Sequence, residues 1–81
     1  MIIEDEKLLA DTVGALLRHK GFDVEIVYDG ESGAQYAELG VYDLLILDVM
    51  MPKMDGYAVA RHVRAKRLGT PILMLTAKSD L

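Results

Sequence analysis

The sequence predicts an α/β fold built on a parallel sheet. Short apolar runs of strand length alternate with longer segments of helical period, in the order strand, helix, strand, helix, strand, helix, strand. The run "LLIL", residues 44–47, is apolar on both faces, as a central parallel strand covered on each side must be. Such strands are joined by right-handed crossovers, so their C-terminal ends lie along one edge of the sheet.

Each element has its own signal. "MII" opens the chain as a short strand. From Glu6 to Lys20, Leu8, Leu9, Thr12, Val13, Leu16 and Leu17 recur at helical spacing and predict one buried stripe. Gly21 follows as the left-handed stop. "FDVEIVY" places Phe22, Val24, Ile26 and Tyr28 on one side of a second strand, and Asp29-Gly30 makes a turn. A second helix is expected over residues 31–39, with Gly33, Ala34 and Ala37 where close packing is wanted. Gly33 weakens that helix by about 1 kcal/mol relative to alanine. Beyond "LLIL" and the Asp55-Gly56 turn, Tyr57, Val59, Ala60 and Val63 form a third helical stripe that fades near Leu68-Gly69. Thr70-Pro71 breaks the chain, and "ILMLT" is the fourth strand.

Composition narrows the function classes. Eighty-one residues allow one domain at most, and a small one, able to bury only a little over ~60% of its unfolded surface. With no cysteine, disulfide staples and thiolate metal sites are excluded. The net charge of −4 argues against this segment gripping nucleic acid by itself. Its basic residues cluster in "RHVRAKR", Arg61 to Arg67, which is read as a solvated helix face, with a short docking surface as the alternative. No apolar run approaches the ~20 residues of a membrane span and no export signal opens the chain, so a cytoplasmic location is expected.

Three strands end in oxygen-bearing side chains: Glu4 and Asp5 after the first, Asp48 after the third, Thr76 after the fourth. Ligands of open α/β sheets gather at that edge. Two carboxylates ~4 Å apart repel by about 4 kcal/mol at an intermediate dielectric. A hard divalent cation such as Mg2+ suits an all-oxygen site and would neutralise a phosphoryl group arriving at Asp48. Carboxylates do act as nucleophiles in forming aspartyl phosphates. Plainer roles exist for each residue. Asp5 alone reads as a cap for the helix beginning near Glu6, Asp55 as the cap of the third helix, and Thr76 as a strand-end hydroxyl. His19 and His62 lie in helices without a second ligand nearby, and Met50, Met51 and Met54 suit packing. No glycine-rich nucleotide loop occurs.

"IIEDE", "LLILDVMMPKMDG" and "PILMLTAKSD", in that order and spacing, resemble the receiver domain of two-component response regulators across essentially the whole chain. The "LTAK" ending is most similar to receivers fused to winged-helix DNA-binding domains. The resemblance implies a flavodoxin-like doubly wound parallel sheet, here with four strands in the order 2-1-3-4 and three helices. It implies that Asp48 is the phosphoacceptor, and that Asp5 and Asp48 ligate Mg2+ directly while Glu4 assists through water. The backbone carbonyl of Met50 would be a further ligand. Thr76 would be the switch hydroxyl, Val49 would supply nothing catalytic, and Ala77 would leave room beside the acceptor. A histidine kinase would donate the phosphoryl group, and an output domain absent here, DNA-binding and transcriptional, would read the result.

By the same resemblance, residues 1–81 are expected to be the N-terminal part of a receiver domain, without helix 4, strand 5, helix 5 and the lysine after strand 5. Lys78 does not stand in that lysine's place. Impaired phosphorylation and a homo-oligomer formed through an exposed strand-4 edge are the expected consequences. Two alternatives remain at this point. One is an interaction module that oligomerises without being phosphorylated. The other is a Mg2+-dependent phosphohydrolase, disfavoured because Met50 occupies the place of that class's second acid.

Overall fold

The structure, a computed structural model, describes residues 1–75. Thr76, Ala77 and Lys78, to which the sequence attached expectations, lie outside the described residues. The elements are β1 (Ile2–Ile3), α1 (Lys7–His19), β2 (Ile26–Val27), α2 (Gly30–Ala37), β3 (Leu45–Asp48), α3 (Gly56–Ala65) and β4 (Ile72–Leu75). All strand pairs are parallel, and the order is β2-β1-β3-β4, as expected.

Strand alternation divides the core in two. Ile3, Leu45 and Leu47 pack with Ala34 and Ala37 of α2 and with Val59 and Val63 of α3. Ile2 and Ile46 face the other way and pack with Ala10 of α1. Every residue of β3 is buried, which is why that run carries no polar residue before Asp48. Gly33 lets α2 lie directly on β1: a Cβ there would stand 2.6 Å from Ile3 Cδ1. The small-residue signal of the second helix is thereby borne out.

Three local expectations are corrected. The buried line of α1 is Ala10 and Gly14, with Val13 and Leu17 half-buried, whereas Leu8 is 79% and Leu16 63% exposed. A Cβ on Gly14 would lie 2.7 Å from Ile26 Cδ1, so the helix approaches the sheet where its side chains are smallest and its larger leucines flank that line. The second strand is only Ile26–Val27. Phe22 is 62% exposed because it belongs to the end of α1: its N–H donates to Leu17 O (3.1 Å) while Gly21, at φ +96°, donates to Arg18 O (3.0 Å). This double closure engages the amide that a ladder would have used. The third helix stops at Ala65 rather than near Leu68, because Arg67 takes φ +58° and the Leu68 N–H turns back to Val63 O (3.3 Å).

Candidate metal centre

Ile3 of β1 is in register with Leu47 of β3, so the next residues, Glu4 and Asp48, emerge side by side at the C-terminal edge. One carboxylate oxygen from each of Glu4, Asp5 and Asp48 lies within 4.8 Å of the others. Glu4 is 5% and Asp48 6% exposed, whereas Asp5 faces solvent. Glu4 Oε2 accepts the Glu6 N–H (3.0 Å), and Asp48 Oδ1 accepts the Met50 N–H (3.3 Å).

Burial pushes the Glu4 carboxyl up to about 7, the Glu6 N–H opposing and the nearby Asp48 and Asp5 adding to the rise. Among the described residues no lysine or arginine forms an ion pair with any of the three. Buried acids without a cation of their own are a donor set for a hard, oxygen-seeking metal ion. Mg2+ therefore fits these residues on chemistry.

Asp5 is not the helix cap that its type suggested. Glu6 occupies the N-cap position of α1, and its side chain makes no capping hydrogen bond. Asp55 does cap α3, accepting the Ala58 N–H at 2.8 Å. Asp29, read as part of a turn, caps α2 through the Ser32 N–H at 2.7 Å.

Between Asp48 and α3 the chain makes a closed loop. Gly56 N–H donates to Val49 O (3.0 Å), and Met54 N–H donates to Pro52 O (2.7 Å) across Lys53, whose φ is +68°. Met51 is buried in the core and Met54 packs against it, so two of the three methionines are packing residues as expected. Met50 is 59% exposed, and its side chain has no place in the core.

Two backbone approaches went unrecognised in the sequence. A Cβ on Gly56 would lie 3.0 Å from the carbonyl carbon of Asp48, and one on Gly30 would lie 2.9 Å from that of Met54. Each glycine follows a capping aspartate, Asp29-Gly30 and Asp55-Gly56, which was the only available signal.

His62 joins α3 to α2 by a 2.6 Å contact between its Nε2 and Glu38 Oε2, a structural use. His19 lies in the last turn of α1, and neither histidine joins the acidic cluster. Arg61, Arg64, Lys66 and Arg67 are all exposed, as expected of a solvated face. Among the described residues no helix is long and apolar enough to cross a membrane.

Comparison with known proteins agrees with this arrangement. The family model described as "Response regulator receiver domain" matches residues 1–81. The transcriptional regulatory protein DltR of Streptococcus agalactiae serotype III is 47% identical over 80 residues, which cover 99% of this chain and 36% of that protein. The chain thus spans about 36% of the length of that relative. Among solved structures, the receiver domain of sensor histidine kinase PA1611 from Pseudomonas aeruginosa, with a magnesium ion coordinated in its active-site cleft, superposes with a TM-score of 0.89 at 35% identity. The match covers 95% of this chain and 65% of that one. The response regulator TrrA of Thermotoga maritima, in complex with Mg2+ and BeF, gives a TM-score of 0.89 at 32% identity, covering 96% of this chain and 68% of that one.

Proposed function

The chain belongs to the response regulator receiver domain family, and from that membership we propose that it is a phosphoacceptor module in which Asp48 takes a phosphoryl group from a histidine kinase. The observation that carries this reading is the convergence of the Glu4, Asp5 and Asp48 carboxylates within 4.8 Å at one sheet edge.

In this reading Asp48 is the nucleophile. One of its carboxylate oxygens attacks the phosphorus of a phosphohistidine, the P–N bond breaks, and the imidazole leaves with the bonding pair. The Met50 N–H, already on Asp48 Oδ1, holds that carboxylate in orientation. Asp5 and Asp48 would hold Mg2+ together with the Met50 carbonyl, while Glu4 stands behind them through water. When bound, Mg2+ supplies the positive charge that offsets the carboxylates and the incoming phosphoryl oxygens. Burial, with Asp48 and Asp5 adding to it, holds the Glu4 carboxyl up at about 7, so a bound cation would favour its ionised form. Thr76 follows Leu75, the register partner of Asp48, and is assigned the switch hydroxyl.

Residues 1–81 act, in this reading, as the receiver part of a longer cytoplasmic protein whose output domain regulates transcription, as DltR's printed name suggests for that relative. DNA contact belongs to that output domain.

Intact mass after treatment with a small phosphodonor tests the proposal. A phosphate adduct that requires Mg2+ and is lost in Asp48→Asn is expected. Equal labelling of both proteins would remove Asp48 from its role.

A further inference from the structure

The loop from Val49 to Asp55 has to present the Met50 backbone beside Asp48, yet it carries a residue in a left-handed conformation, Lys53 at φ +68°. Left-handed backbone is unfavourable for a residue with a Cβ and persists only where the surroundings impose it. At its base the loop is closed by the Gly56 N–H on Val49 O, at 3.0 Å. At its far end the Met54 peptide rests against Gly30, the first residue of α2, where a Cβ would stand 2.9 Å from Met54 C, 3.0 Å from Met54 Cβ, and closer still to the carbonyl oxygen. That is backbone against backbone, so no side-chain rotation could relieve a substitution. The adjoining cap residue, Asp29, is held below its usual range chiefly by the Ser32 N–H, with Lys53 adding its charge. The first turn of α2 thus meets the loop at Met54, with the Lys53 charge favouring the ionised Asp29 beside it.

We propose that Gly30 is a positioning residue for the metal and phosphoryl site: by admitting the Met54 carbonyl onto the first turn of α2, it sets the loop that places Met50 beside Asp48. This inference rests on the function proposed above and adds a second-layer determinant on another element. Local helix energetics oppose it, which sharpens the test. Alanine is a better helix former than glycine by about 1 kcal/mol in a helix interior. A role confined to α2 would therefore leave Gly30→Ala neutral or stabilised.

The experiment is calorimetric titration of Mg2+ into the wild type, Gly30→Ala and Gly33→Ala, with thermal melts of all three without metal. Gly33→Ala is the control, because its Cβ would press on Ile3 side-chain atoms at 2.6 to 2.9 Å and disturb packing of the same helix away from the loop. The expected result is Mg2+ affinity about tenfold weaker in Gly30→Ala, the usual scale for losing an outer-layer support, with Gly33→Ala less heat-stable but unchanged in affinity. Equal affinity in Gly30→Ala and the wild type overturns the inference, as does an equal loss in both variants. Absence of Mg2+ binding in the wild type overturns the underlying reading instead. If Gly30→Ala does not fold, hydrogen exchange of the wild type decides. Protection gained on adding Mg2+ at residues 50–56 together with Ser32 and Gly33 supports the brace, and gain at 50–56 alone overturns it.

Discussion

Glu4, just after β1, and Asp48, at the end of the adjacent parallel strand β3, hold carboxylate oxygens within 4.8 Å of each other, and each residue is almost completely buried. That juxtaposition is electrostatically unfavourable for the protein alone, and it is the source of the first two expected results. Removing one charge without changing shape, as Asp48→Asn does, should raise metal-free stability at alkaline pH by about 1–4 kcal/mol, the interaction of two charges at about 4 Å between a water-like and an intermediate dielectric. The same variant should lose the stabilisation that Mg2+ confers on the wild type. Urea denaturation with and without Mg2+ measures both, and a variant less stable than the wild type in chelator contradicts the repulsion.

Glu4 predicts the pH dependence. Its carboxyl is raised from an ordinary 4.5 to about 7 by burial and then by its acidic neighbours. Between those values the native state holds a proton that the unfolded chain releases, so this group's contribution is fully present below the lower value and disappears as pH rises through the upper one. Melting temperature in chelator should fall from about pH 5 to about pH 7.5 on this account, Glu4→Gln should flatten the slope, and Mg2+ should offset the fall. Melts of the two proteins across that range provide the check.

Asp5 and Asp55 separate a ligand from a cap. Asp55→Ala removes the acceptor of the Ala58 N–H and should lower stability by about 1 kcal/mol without Mg2+. Asp5→Ala breaks no cap, so its metal-free stability should stay within about 0.5 kcal/mol of the wild type, while its Mg2+ affinity falls. Denaturant midpoints and calorimetric titration give opposite rankings of the two variants if the assignment holds.

Arg67 closes α3 with φ +58°, a conformation glycine adopts freely. Arg67→Gly should stabilise the protein by about 0.5–1 kcal/mol, the strain relieved less the greater freedom of glycine in the unfolded chain. The same reasoning makes Gly21→Ala, at φ +96°, destabilising. Opposite shifts of the urea midpoint in these two variants would bear this out.

The alternation of strands and helices and the identity of the acids at the strand ends were legible in the sequence, whereas the strand order came only from the family resemblance. Hydrophobic period is a local property, and parallel pairing carries every strand's C-terminal residue to one edge whatever the distance along the chain. The buried line of α1 was not legible, because Gly14 defines it through its closeness to Ile26, and a pattern of large apolar residues points instead to leucines such as Leu8 and Leu16. Nor was the shortness of β2, since the Phe22 amide could serve a strand or a helix end and only the three-dimensional course of the chain selects Leu17 O. The unequal burial of Glu4 and Asp5, and the docking of Met54 on Gly30, likewise depend on how closely separate elements approach. The sequence determined which groups could meet. Tertiary packing decided their distances and their access to water, because those are set by contacts between segments that no local pattern encodes.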